Sequence, residues 1–311
     1  MSRILTSTKE LTHEQWLKYR RTGIGGSDAS TVVGLNPYNS LYKLYADKKG
    51  LISDTTDTEV MRQGRDFEEY VARRFTEETG KKVRRRNYMF LHDDYDYILA
   101  DIDREIVGEN AGLECKTTSL FNKSDFENGE IPLYYYVQTM HYMAVMGYDR
   151  MYLAVLVLSK GFYWFTIERD EDEVHSLLQA ESDFWNNYII PEKIPPIDGS
   201  DATQEVIAEL YPEDYSEKIV CVSDKIMTEY ERLKSLSDDV NDQLNEVKNQ
   251  IKATLGESMS GNSDGYKITW KSQVKTTVDS KKLKEKFPEV YKQVTKSNTS
   301  RVLRITQKKE K

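Results

Sequence analysis

Between Leu99 and Thr117 the chain reads LADIDREIVGENAGLECKT, which sets an Asp at position 103 and a Glu-x-Lys, Glu114 to Lys116, eleven residues further on. Strand side chains alternate between faces, so Glu114 and Lys116 share one side of a strand while Cys115 takes the other. With the turn at Gly108-Glu109-Asn110-Ala111-Gly112, a β-hairpin folds Asp103 back beside Glu114. Crowded carboxylates repel unless a hard divalent cation lies between them, and Mg²⁺ takes such ligands while keeping several waters. Lys116 then stands where it would orient or deprotonate a water acidified by the metal, the chemistry of a metal-dependent phosphodiesterase. Taken alone, Glu-x-Lys is equally an ordinary surface ion pair, so the surrounding elements decide its meaning.

Two helices supply those elements. Met61 to Phe75, MRQGRDFEEYVARRF, repeats Phe67, Val71 and Phe75 at helical spacing and carries Glu68 and Glu69. Pro132 to Gly147, PLYYYVQTMHYMAVMG, sets Gln138 beside a stripe of Tyr135, Tyr142 and Val145. A Gln in that position is also a common interior amide that has found its partner. Tyr134-Tyr135-Tyr136 offers rings that either pack in the core or stack on unpaired bases, and a helix can turn only part of the cluster toward DNA. Nearer the N-terminus, Gly25-Gly26 permits close backbone approach and Ser27-Asp28 starts a helix. Free N–H groups there, the Ser27 hydroxyl and a guanidinium from Arg20 or Arg21 would make a pocket for a terminal phosphate. Asp28 is an awkward neighbour for a phosphate unless it caps the helix or pairs with an arginine.

The order Gly64-x-x-x-Glu68, Ile102-Asp103, Glu114-Cys115-Lys116 and Gln138-x-x-His141-Tyr142 resembles the PD-(D/E)XK nucleases, and more narrowly the phage lambda-type exonuclease or YqaJ-type viral recombinase family. Trp16 to Tyr38, WLKYRRTGIGGSDASTVVGLNPY, is similar to that family's opening motif and is the most specific match. The motifs span about residues 10 to 190. The resemblance implies a deoxyribonuclease that degrades one strand of linear duplex DNA from a 5′-phosphorylated end, leaving a 3′ overhang for a single-strand annealing protein. It implies a homotrimeric ring that threads DNA. By matching positions it assigns Asp103, Glu114 and Glu68 to the Mg²⁺ site, with Mn²⁺ able to substitute, the Cys115 backbone carbonyl as a further ligand, Lys116 to the water and Gln138 to a supporting contact. Arg20, Arg21 and Ser27 fall in the segment that holds the 5′-phosphate. Where such families carry Pro before the Asp this chain has Ile102, which keeps Asp101 as a competitor for the role of Asp103.

Composition agrees. Two cysteines, Cys115 and Cys221, are too few for a disulfide scaffold or an iron–sulfur cluster and fit a reducing compartment. His13, His92, His141 and His175 have no zinc-ligand spacing. The longest apolar run, Met151 to Leu158, is too short to cross a membrane and no signal-peptide core opens the chain, so a cytoplasmic protein is expected, and the resemblance implies a phage or prophage gene in a bacterial host. A net charge of −8 suits DNA poorly until it is divided. From Tyr266 onward fourteen Lys or Arg face four Asp or Glu, a net of +10, which leaves −18 on residues 1–265. Lys81 to Arg86 forms a second basic cluster, either a solvated face or a set of phosphate contacts.

The expected fold class is α/β (α+β): a PD-(D/E)XK core with a mixed central sheet flanked by helices. Helices are expected at Ser27 to Val33, Ser40 to Lys48, Glu59 to Thr79 and Glu171 to Tyr188, and strands at Lys82 to Phe90, Tyr97 to Val107, Leu113 to Thr117, Met151 to Leu158 and Phe162 to Glu168. The division is a nuclease domain at 1–195, a linker at 196–222, a long amphipathic helix at 223–256 and a small basic α+β appendage at 257–311. The helix repeats Ile226, Tyr230, Leu233, Leu236, Val240, Leu244, Val247, Ile251 and Leu255 by threes and fours, as a coiled coil or as a helix folded on its own domain. In the appendage, Gly261 to Gly265 is expected as a loop, Tyr266 to Val278 as two strands, Lys281 to Lys286 as a helix and Val302 to Ile305 as a last strand. Besides the exonuclease, an endonuclease with the same site and a non-catalytic recruitment protein share the pattern.

Overall fold

Capping side chains set where the helices begin. In the computed structural model, which describes residues 2–54, 57–119, 126, 128–214, 218–297 and 299–307, strand β1 (Arg3–Ser7) leads to α1 (His13–Arg21). There Thr12 accepts the Gln15 N–H and the Gln15 side chain accepts the Thr12 N–H, a reciprocal pair that satisfies two otherwise orphaned donors. α2 (Gly26–Val32) follows, then α3 (Leu41–Lys48) behind Ser40 and α4 (Glu59–Thr79) behind Thr58. Gly80 ends α4 in the left-handed region, φ 71°, where a side chain would be strained.

Short strands β2 (Val83–Arg84), β3 (Tyr88–Leu91), β4 (Leu99–Ala100) and β5 (Arg104–Ile106) precede the long β6 (Ala111–Thr118). The single strands expected at Lys82 to Phe90 and Tyr97 to Val107 are each broken in two, because the chain serves two sheets. β3 and β4 join β1 in a three-stranded antiparallel sheet, whereas β2 and β5 belong to the five-stranded sheet β2-β5-β6-β7-β8. Asp101 to Asp103 therefore occupies the crossing between sheets. α5 (Leu133–Met146), β7 (Arg150–Val157), β8 (Gly161–Glu168) and α6 (Glu171–Phe184) complete the layer, α6 continuing through a wide π turn at Trp185–Ile189. β6 and β7 are parallel and the other pairs of this sheet antiparallel, giving the mixed sheet flanked by helices that the sequence predicts.

Alternation along the strands divides the core. Leu113, Tyr152 and Ala154 face α4, packing on Val71, Ala72 and Phe75. Met151, Leu153, Val155 and Val157 face the other way, onto Met140, Met143 and Ala144 of α5. Full burial of each large side chain contributes about 1.5–3 kcal/mol, so the two faces hold α4 and α5 firmly against opposite sides of β6. Inside the stretch expected as a linker, Asp201–Leu210 forms α7, whose Val206 is buried with Ile24, Tyr42 and Tyr45.

The chain divides into two units, Met1–Pro212 and Glu213–Lys311. In the second, α8 (Asp224–Leu255) carries the long apolar stripe and is followed by β9 (Ser260–Ser263) and β10 (Tyr266–Thr269). Those strands pair antiparallel across Asp264-Gly265, a two-residue turn in which Gly265 adopts φ 84°. The segment expected as a loop thus supplies a strand. Tyr266 to Val278 supplies one strand instead of two, and no strand forms at Val302 to Ile305 among the described residues. α9 (Ser280–Lys286) falls at the predicted basic helix and α10 (Pro288–Val294) follows it.

Candidate active site

The hairpin of β5 and β6 sets the register of the site. Arg104 pairs with Leu113, and both side chains face α4, where Arg104 donates to Glu68 and Glu69. Asp103, one residue earlier, lies on the opposite face and accepts the Cys115 N–H at 2.7 Å. Glu114 and Lys116 share that face, and the Lys116 Nζ lies 2.7 Å from Glu114 Oε1. From α5, Gln138 donates its amide to the same Glu114 oxygen at 2.8 Å and to the Tyr142 hydroxyl at 2.9 Å. Asp103, Glu114, Lys116 and Gln138 therefore converge, delivered by the residue before β5, by β6 and by α5.

Electrostatics makes the cluster tense. Burial, then Glu114 and Glu68, push the Asp103 carboxyl well above the usual aspartate range. Burial also raises Glu114, although the adjacent Lys116 opposes it. Burial works against the Lys116 charge, but Glu114 beside it outweighs burial and holds the ammonium above the ordinary lysine range. Glu114 Oε2 is buried with no hydrogen-bond partner among the described residues. A buried carboxylate oxygen without a donor carries a substantial desolvation cost, and a cation placed between it and Asp103 would remove both that cost and the mutual repulsion. The donor set is entirely oxygen, which suits a hard divalent cation, and Mg²⁺ commonly takes only one or two carboxylates beside waters and phosphates. No third His, Cys, Asp or Glu joins at metal-ligand spacing among the described residues. Glu68 is turned toward Arg104 and Arg85 and acts on Asp103 through its charge.

The competing carboxylates separate. Asp101 accepts the Trp16 indole N–H at 2.8 Å, and burial lifts its carboxyl above the usual range. Asp103 is the one that meets Glu114 and Lys116.

The two arginines separate as well. Arg20 reaches Ser27 Oγ at 2.7 Å and Asp28 Oδ1 at 3.0 Å, with its guanidinium 5.1 Å from the centre of the Trp16 ring. Arg21 is drawn away by Asp47 and Asp54. Asp28 caps α2 by accepting the Gly25 N–H and also receives Lys48 Nζ at 2.6 Å. Burial opposes the Asp28 charge, but Lys48 and then Arg20 hold it far below the ordinary carboxylate range. Burial and Arg20 pull Lys48 down while Asp28 and, more weakly, Asp47 support its charge, so two cations share the buried Asp28 carboxylate. Gly26 is needed for packing: a Cβ there would lie 2.6 Å from Tyr142 Cε1.

Three residues of this neighbourhood escape the sequence reading. Lys48 follows Leu44 and Tyr45 at helical spacing, so its place on the apolar face of α3 was legible. Arg104 follows Asp103 on an alternating strand, which places it on the α4 side with Glu68. Trp16 has no sequence signal linking it to Asp101.

Residues 15–149 match the model of the YqaJ-like viral recombinase domain. The uncharacterized protein YqaJ of Bacillus subtilis (strain 168) is 40% identical over 220 residues, 70% of this chain and 69% of that protein. A crystal structure of an alkaline exonuclease (LHK-Exo) from Laribacter hongkongensis is similar over 56% of this chain and 91% of its own, with 17% identity and a TM-score of 0.49. A phage related exonuclease from Haemophilus somnus 129PT is similar over 57% of this chain and 100% of its own, with 9% identity and a TM-score of 0.42.

Proposed function

This chain belongs to the YqaJ-like viral recombinase family, and from that premise we propose that it is a Mg²⁺-dependent exonuclease that digests one strand of linear duplex DNA from a 5′-phosphorylated end. The observation that carries the reading is the convergence of Asp103, Glu114 and Lys116 around a buried, unpartnered Glu114 oxygen. Asp103 and Glu114 hold the cation together with the Cys115 backbone carbonyl. When bound, Mg²⁺ supplies Lewis acidity toward the phosphodiester and acidifies water.

Lys116 keeps its proton beside Glu114 and orients the attacking water through its N–H donors while offsetting charge that builds on the phosphate. Gln138 fixes the rotamer of Glu114 by occupying Oε1, leaving Oε2 for the cation. Arg20 and Ser27 receive the terminal 5′-phosphate, the guanidinium and the hydroxyl donating to its oxygens. The same reading includes a homotrimeric ring, Mn²⁺ as a substitute metal and a single-strand annealing protein that takes the 3′ overhang. It also places the protein in the cytoplasm of a bacterium that carries the phage gene.

End-labelled linear duplex with and without a 5′-phosphate, digested beside a closed circle, tests the proposal. Shortening of the phosphorylated linear strand alone, leaving 3′ single strands, is expected. Cutting of the circle makes the protein an endonuclease, and the absence of Mg²⁺-dependent cleavage of any substrate leaves only a recruitment role.

A further inference from the structure

Rings lead outward from the candidate site. Lys116 Nζ stands 5.1 Å from the centre of the Tyr135 ring, Tyr134 lies 4.3 Å from Tyr135, and Tyr38 meets Tyr134 edge-on at 5.8 Å. Tyr38, at the outer end, is 67% exposed. Tyr136 takes no part, because its hydroxyl donates to Glu173 on α6, so the helix divides the three consecutive tyrosines as its periodicity requires. The result is a continuous aromatic surface from the Lys116 ammonium to solvent.

We infer that Tyr38 and Tyr134 form a stacking surface for the terminal nucleobase of the strand being cut, a step that rests on the exonuclease reading above. A duplex end must release its terminal base from pairing and stacking before the adjacent phosphodiester can enter a recessed site, and that release costs free energy. The groups that otherwise converge on the site are ionic or polar: Asp103, Glu114, Lys116 and Gln138. None of them offers a surface for a flat, weakly polar base. Tyrosine does, since every base has a π face and stacking tolerates any sequence, as a processive enzyme requires. With only two χ angles, a tyrosine ring also loses little conformational freedom when a base stacks on it.

The experiment measures binding by anisotropy in EDTA, so that no cleavage is involved, on a 5′-phosphorylated duplex with a fully paired end and on the same duplex with its terminal 5′ nucleotides mismatched. The wild type prefers the unpaired end. Tyr38→Ala loses that preference, with affinity for the unpaired end falling roughly tenfold, the scale of one base–aromatic stack. Tyr38→Phe keeps the ring and behaves as wild type, and Tyr136→Phe is a control whose preference does not change. Equal preference in wild type and Tyr38→Ala overturns the stacking surface whatever the cleavage result. Loss of preference in Tyr38→Ala from a protein that cuts no DNA with Mg²⁺ leaves the stacking surface standing and refutes the nuclease reading.

Discussion

Replacing Lys48 by Met removes one charge from inside the first unit and keeps nearly the same length of side chain. The Lys48 side chain is 0% exposed, and its Nζ donates to Asp28 Oδ2 at 2.6 Å and to the Arg20 carbonyl at 2.9 Å. Removing one partner of a buried ion pair typically costs about 3–5 kcal/mol, because the other charge is left uncompensated. Asp28 keeps Arg20 and the Gly25 N–H, which sets the expected loss at the lower end, about 3 kcal/mol. For a unit of this size that lowers the melting temperature by roughly 6–12 °C. Urea unfolding followed by circular dichroism measures it directly. Because Asp28 and Lys48 together aim Arg20 at Ser27, Lys48→Met also weakens the discrimination between 5′-phosphate and 5′-hydroxyl ends. Adding Asp28→Leu to Lys48→Met does not restore the stability, since it leaves Arg20 without its carboxylate and the Gly25 N–H without its acceptor. A single-variant loss under about 1 kcal/mol would refute the reasoning, by showing the pair already compensated.

Three further outcomes follow from the same geometry. His141 donates to Glu181 and to the Leu99 carbonyl, and although burial opposes its charge, Glu181 raises its pKa above the usual histidine value. Its contribution to stability is therefore fully present below about pH 6.5 and is lost as pH rises through the raised folded value; urea unfolding from pH 5 to 9 shows this decline, and His141→Asn flattens it. Gly26→Ala drives a Cβ against Tyr142, costs about 1–3 kcal/mol, and lowers the cleavage rate through the Tyr142–Gln138–Glu114 chain; an unchanged rate and stability contradict it. Arg20→Gln erases the preference for a 5′-phosphate in a competition digest, while Arg21→Gln retains it.

Much of the site was legible because strand alternation and helix spacing act locally. The Gly108 turn, the shared face of Glu114 and Lys116, and the placement of Gln138 on an inward stripe all follow from periods of two and 3.6 residues. The geometry that separates neighbours was not legible: Asp103 turns to Cys115 and Asp101 to Trp16 where the chain crosses from one sheet to the other, and Arg21 is drawn from Arg20 by Asp47 and Asp54 on distant segments. The resemblance assigned Glu68 to the metal site by matching position, and its contact with Arg104, which arrives from β5, has no local sequence signal. In the second unit the Asp264-Gly265 turn carried the hairpin signal, and grouping Gly261 with Gly265 as one loop hid it. α7 lay beyond Pro195-Pro196, where composition alone marked a linker, and its burial depends on Tyr42 and Tyr45 far upstream.

The central claim is that Asp103, Glu114 and Lys116 form one metal-dependent hydrolytic centre. Release of nucleotides from a 5′-phosphorylated linear duplex, measured across a Mg²⁺ titration for the wild type, Glu114→Gln and Lys116→Ala, tests it most directly. The account predicts no release without Mg²⁺, a need for more Mg²⁺ in Glu114→Gln, and a loss of at least ~10²-fold in rate in Lys116→Ala with DNA binding intact. Release by Lys116→Ala at the wild-type rate, or release unaffected by EDTA, would contradict it.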